Sequence, residues 1–145
     1  MAPIITTVEI DRPPEVVFPY VIDPRTFPAW QLAVLKGTLD RGVDVGAICS
    51  TTRKIGGGPR EIHSRITEYD PPNRWADHGI DGPIRGVVSV DVRPLDDGRR
   101  SRVTLTVDFE GHGIGKVLIP LVVRRQAARE MPSNARRLKA VLESS

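Results

Sequence analysis

Three histidines, one cysteine and one arginine set in an apolar stripe are the side chains of this chain best suited to chemistry. His63, His78 and His112 are the side chains available for acid–base work. Asp77 directly precedes His78 and resembles an acid–base dyad on paper. On a regular strand, however, neighbouring side chains point to opposite faces, so the two would not meet. His63 shares a face with Glu61, Arg65 and Thr67, opposite Ile62 and Ile66, and is expected on the exterior. His78 shares a face with Ala76 and Ile80, so it is the histidine expected to point inward. Cys49 has no activating neighbour in sequence and reads as a buried structural thiol. The histidines are far apart and no paired-cysteine or His-Glu-x-x-His spacing occurs, so neither a metal nor a cofactor is expected.

Arg124 stands out because Val117, Leu121, Arg124, Ala128, Met131, Ala135, Leu138 and Leu142 recur at spacings of four and three, one face of a long helix. A guanidinium in such a stripe is costly unless partnered. Three placements remain open: a pair with an internal carboxylate, rotation to solvent at Pro120, or contact with an anionic ligand group. Arg124 and His78 are therefore the candidate catalytic residues, with no complete catalytic set defined. Arg125, Arg129, Arg136 and Lys139 lie elsewhere on the helix as a solvated face. Pro120 falls in its first turn, and Pro132 is expected to kink its middle.

Two glycine-rich stretches look like phosphate loops and are not. Gly111-His112-Gly113-Ile114-Gly115 follows a strand of an antiparallel sheet and leads to no further strand, against the requirements of a dinucleotide fingerprint. It reads as flexible backbone between sheet and helix, able to gate a cavity. Gly56-Gly57-Gly58-Pro59 lacks the Lys-Ser/Thr of a P-loop and reads as a hairpin tip.

The elements that position these groups are legible from periodicity. Ile4 to Ile10 alternates as a strand; Pro13 and Pro14 then open a short helix, with Asp11 a plausible cap and Val16, Val17, Tyr20 and Val21 its apolar face. Asp23-Pro24 ends that helix, and a second short turn runs through Phe27 and Trp30. Strands follow at 32–39, 47–55, 60–69, 74–80, 84–94 and 102–111, separated by turn signals such as Asp70-Pro71-Pro72-Asn73 and Asp96-Asp97-Gly98. Connections this short imply an antiparallel meander. Ile84, Gly86, Val88, Val90 and Val92 share one face, as do Val103, Leu105, Val107 and Phe109. The sheet is thus apolar on one side, and the C-terminal helix is its cover.

Composition narrows the function classes. The chain has 145 residues, expected to form one domain, and a net charge of +3. Of 21 basic residues, the lysines are Lys36, Lys54, Lys116 and Lys139, and the arginine pairs are scattered without interleaved aromatics, unlike a nucleic-acid interface. The longest apolar run, Val117 to Val123, is too short to span a bilayer. One cysteine and no leader-like N-terminus suit a cytoplasmic location.

Pro14-Glu15-x-Val17-Phe18, Asp23-Pro24, Trp30, Ile66-Thr67-Glu68-Tyr69-x-Pro71-Pro72 and Leu138-Lys139-x-x-Leu142-Glu143 occur in order along the chain. With them the sequence resembles the START/Bet v 1-like (SRPBCC) superfamily, and within it the bacterial polyketide cyclase/dehydratase-like group. The resemblance covers essentially the whole chain. It implies an α+β helix-grip fold: a curved antiparallel sheet of six or seven strands around a long C-terminal helix, with two short helices after the first strand. It also implies a cavity for a lipid, polyketide or other apolar small molecule. Residues expected to line that cavity are Trp30, Trp75, Val88, Val90, Leu105, Val107, Phe109, Leu121, Arg124 and Ala128. An apolar ligand is then the expected partner of a monomer or homodimer, with no nucleic acid and no membrane insertion. A carrier or sensor is the first reading, because the inward face of the best-defined strands is aliphatic. A cyclase/dehydratase-like enzyme is the second, to be favoured by a polar trio converging in the cavity. A protein-interaction module with a collapsed cavity is the third.

Overall fold

The computed structural model describes residues 2–145. Strand β1 (Ile4–Ile10) leads into helix α1 (Pro14–Val21), a 3-10 turn (Pro24–Thr26) and helix α2 (Phe27–Trp30). Strands β2 (Val34–Leu39), β3 (Ile48–Ile55), β4 (Gly58–Asp70), β5 (Arg74–Gly79), β6 (Ile84–Leu95) and β7 (Arg100–Gly111) follow as a meander. The seven strands form one sheet in the order β1-β7-β6-β5-β4-β3-β2. Every neighbouring pair is antiparallel. The chain ends in a long helical run: α3 (Gly115–Leu118), a π turn (Ile119–Val123) and α4 (Arg124–Glu143). This is the expected helix-grip arrangement, with strand bounds within two residues of those read from alternation.

Local chemistry explains the short elements. Pro14 sits at the first helical position of α1, where no backbone donor is needed. Asp11 does not cap that helix. Pro13 stands at the cap position, and the Asp11 N–H donates instead to Glu143 Oε2 at 2.8 Å. Asp23 does cap the next turn, accepting from the Arg25 N–H at 3.0 Å. Gly37 and Gly115 are tight approaches. A side chain at either would overlap a carbonyl, that of Pro24 and that of Pro83 respectively.

The two halves of the long helical run pack differently. Met131, Ala135, Leu138 and Leu142 of α4 are buried together with Ile10, Val17, Phe18, Val92 and Val103. Fully burying a side chain such as Leu138 contributes about 1.5–3 kcal/mol. This end is also pinned by polar contacts to the start of the chain. Lys139 Nζ donates to the Glu9 carbonyl at 2.8 Å, and Arg12 Nη2 donates to the carbonyls of Glu143 and Ser145, each at 2.7 Å.

In the N-terminal half the expected stripe fails. Val117 and Leu121 are exposed, and Ile119 and Val123 are buried in their place, in a second cluster with Ile84. The cause is the π turn, which contains Pro120 and bonds i to i+5, so one extra residue enters the helix and rotates the face. Sequence spacing of four and three cannot register that extra residue. Pro132 lies within α4, whose helical hydrogen bonding continues on both sides of it.

Candidate functional site

Between the concave face of the sheet and the helix lies a cavity of about 190 Å³. Its two walls have different chemistry. The β6 and β7 side is aliphatic and aromatic: Ile84, Val88, Val90, Leu105, Val107 and Phe109. Alternation in both strands, broken in β6 by Val87 on the outer face, and direct cross-strand pairing, Val88 with Val107 and Val90 with Leu105, make that surface continuous. Phe27, Trp30 and Val21 close one end, while Ala127 and Met131 of α4 form the roof.

The β3, β4 and β5 side is polar. Cys49, Thr51 and Arg53 point in from β3, Ser64 from β4 and Asp77 from β5. Ser64 Oγ donates to Asp77 Oδ2 at 2.6 Å. Asp77 is buried, and burial lifts its carboxyl from 3.8 to about 6, against the lowering influence of the Ser64 hydrogen bond and of Arg53. Arg53 is held by neutral acceptors: Nε donates to Thr51 Oγ1 at 3.1 Å and Nη1 to Gln31 Oε1 at 3.0 Å. Its guanidinium also lies 5.9 Å from the centroid of the Phe27 ring. Burial lowers the pKa of this guanidinium, with Asp77 and Glu130 acting in the other direction. Trp75 Nε1 is a buried donor with no acceptor among the described residues. Burial pushes the Cys49 thiol up to about 12, so it stays an uncharged wall group.

The site residues expected from sequence divide into two sets. Trp30, Trp75, Val88, Val90, Leu105, Val107 and Phe109 are brought together on the cavity wall. Leu121 is exposed beside the π turn, and Ala128 is exposed because Ala127 takes the cavity-facing place on α4, so neither reaches the wall. Arg124 also lies outside. Its Nη1 donates to Asp108 Oδ1 at 3.3 Å and its Nη2 to the Ala2 carbonyl, so it is a structural pair rather than a cavity group. His78 is turned outward, with Nε2 at 2.9 Å from Glu110 Oε1. The inward residue of the Asp77-His78 pair is Asp77. Trp75, Asp77 and Gly79 share the cavity face of β5, and the large indole sets the strand's parity more firmly than Ala76 and Ile80 do. His63 is exterior, between Asp81 and Glu61. His112 is exposed too.

Arg53 and Ser64 carry no site signal in the sequence taken alone, and Asp77 enters it only as half of a dyad with His78. The pattern Trp75-x-Asp77-x-Gly79 offered a signal for Asp77. For Arg53, the alternation Cys49-x-Thr51-x-Arg53 looks like a solvent face until the sheet's curvature is known.

Comparison with solved structures places the fold. A START superfamily protein from Mycobacterium smegmatis matches with a TM-score of 0.80 at 15% identity, over 99% of both chains. The Zhui aromatase/cyclase from Streptomyces sp. R1128 matches with a TM-score of 0.79 at 15% identity, over 97% of this chain and 93% of that one. The di-domain ARO/CYC BexL from the BE-7585A biosynthetic pathway matches with a TM-score of 0.73 at 19% identity, over 97% of this chain and 46% of its own. This chain thus spans about half of that protein. At these identities the likeness is one of fold. No curated protein matches the chain in sequence. The family described as polyketide cyclase / dehydrase and lipid transport matches residues 1–143, and the chain belongs to that family.

Proposed function

We propose that this protein binds a small molecule with an apolar body and one polar head in the cavity between sheet and helix. The observation that carries this reading is the division of the wall, aliphatic on β6 and β7 and hydrogen-bonding on β3 to β5. A cavity of about 150 Å³ lined by apolar side chains holds a single aromatic ring. The 190 Å³ here accommodates a ligand of about that size with its head toward Arg53. A head that accepts hydrogen bonds would also give the buried Trp75 Nε1 a partner.

The test uses the two tryptophans of the chain, Trp30 and Trp75, which both line the cavity and report its occupancy by fluorescence. Titration with 4-ethylbenzoate, 4-ethylphenol and ethylbenzene varies the head on one body. Head-bearing probes are expected to bind more tightly than ethylbenzene. Silence toward all three, together with no co-purified small molecule in native mass spectrometry, overturns the reading.

A second reading, cyclase/dehydratase-like catalysis, is favoured by the convergence of Arg53, Ser64 and Asp77 on one wall. The roles assigned from sequence to His78 and Arg124 pass to these residues. In loss of water from a β-hydroxy ketone, the Asp77 carboxylate takes the α-proton and Arg53 holds the resulting enolate oxygen. The C–O bond then breaks, Asp77 returns its proton to the departing hydroxide, and an enone and water leave. Growth of enone absorbance with the wild type, and none with Asp77→Asn, is the expected result. Equal rates in both overturn it.

A further inference from the structure

The long helical run begins on a face that the fold leaves bare. Ile114, Val117 and Leu121 are 63%, 55% and 59% exposed. They lie on successive turns, so they form a ridge of large apolar side chains along one side of α3 and the π turn. The π turn is the cause: it directs Ile119 and Val123 into the cluster with Ile84 and commits Val117 and Leu121 to the outside.

The charge of this segment has one sign. Between Glu110 and Glu130 the sequence has no acidic residue, while Lys116, Arg124, Arg125 and Arg129 are all there. The flanking carboxylates all have partners, Arg124 and Gln126 of this segment among them. Asp108 pairs with Arg124, Glu110 contacts His78, and Glu130 accepts from Gln126 and lines the cavity. The β3–β4 hairpin is tied to the same end of the helix. Gln126 Nε2 donates to the Lys54 carbonyl at 2.7 Å, and the Gly56 N–H donates to Gln126 Oε1 at 3.2 Å.

We propose that this face docks on an anionic lipid surface, with Ile114, Val117 and Leu121 entering the acyl boundary and Lys116 and Arg125 meeting the headgroups. An apolar ridge flanked by cations is the arrangement that holds a helix in the plane of a membrane interface. No helix among the described residues is long and apolar enough to cross a membrane, so the contact stays interfacial. Charge argues against a second copy of this chain as the occupant, because two such faces would bring the same cations together. The proposal is independent of what the cavity binds.

Flotation of the purified protein with vesicles of phosphatidylcholine alone, and of phosphatidylcholine mixed with phosphatidylglycerol, tests it. Binding is expected on the mixed vesicles and not on the neutral ones, weakening as salt rises. Leu121→Asp should reduce it on the order of tenfold or more. Lys116→Gln and Arg125→Gln should each reduce it about fivefold. These positions are exposed, and unchanged thermal melting of each variant confirms that the fold is retained. Equal binding to both vesicle types, or binding to mixed vesicles that survives Leu121→Asp, overturns the proposal. So does a dimer in solution that Leu121→Asp dissociates, or capture by poly-glutamate without any vesicle binding.

Discussion

The aliphatic and polar walls of the cavity are built from the same kind of strand, yet they answer to different rules. On β6 and β7 each inward position is a hydrophobe, or Gly86, and the wall is fixed by cross-strand packing. On β3 to β5 the inward positions mix Cys49, Ile62 and Trp75 with Thr51, Arg53, Ser64 and Asp77, and the polar part of that wall is fixed by hydrogen bonds between side chains. The first surface stabilises the fold by apolar burial. The second costs desolvation energy that its hydrogen bonds offset in part, and on the proposed function it would orient the head of a bound molecule. A shape without a direction and a direction without a shape meet in one cavity.

Moving a carboxylate from one wall to the other breaks this comparison most severely. Leu105→Asp places on β7 the group that β5 already carries at Asp77, but without a serine donor. A loss of about 3–5 kcal/mol in urea unfolding, or failure to fold, is expected. A loss below about 1 kcal/mol would mean the walls are alike.

Asp77 itself sharpens the contrast through pH. Its folded value of about 6 lies above the unfolded 3.8, so the native state holds the extra proton between them. Its stabilising contribution is full below 3.8 and is lost as pH rises through 6, on the order of 3 kcal/mol across the window. Asp77→Asn should therefore gain stability relative to wild type as pH increases from about 4 to about 7, by urea unfolding at each pH. A pH-independent gap between the two would refute the buried, desolvated carboxyl.

Arg53→Met preserves the stem of the side chain and removes the charge. It should leave folding stability close to wild type while weakening 4-ethylbenzoate binding about tenfold in the fluorescence titration. The smallest effect is expected at Arg124, whose partner Asp108 is 43% exposed. Arg124→Ala should change stability by less than about 1 kcal/mol and leave probe binding unaltered.

The contrast between walls also decides what could be read in advance. The aliphatic wall was legible because Ile84, Val88, Val90, Leu105, Val107 and Phe109 alternate with polar residues, and a period of two has one physical meaning in a half-buried sheet. The polar wall was not, because Thr51 and Arg53 facing a cavity are written with the same letters as Thr51 and Arg53 facing water. On β5 the misplacement of His78 arose from weighing two small or medium hydrophobes, Ala76 and Ile80, above Trp75. Along the helix the stripe from Met131 to Leu142 survived, and its extension to Leu121 and Val117 did not. A π turn inserts a residue that no heptad-like spacing anticipates.

The pinned end of the long helix has a mechanical meaning. Lys139, Glu143 and the carbonyls held by Arg12 lock the last turn of α4 to the first strand, whereas the opposite end adjoins a π turn and a glycine-rich connection. Release of the Arg124–Asp108 pair and of the Gln126 bonds to the β3–β4 hairpin would leave α4 a lever with its fulcrum at β1. For the 20 residues of α4, about 30 Å long, a tilt of about 5° displaces the far end by about 2–3 Å. That stroke is close to the diameter of a water molecule, delivered where the helix roofs the cavity.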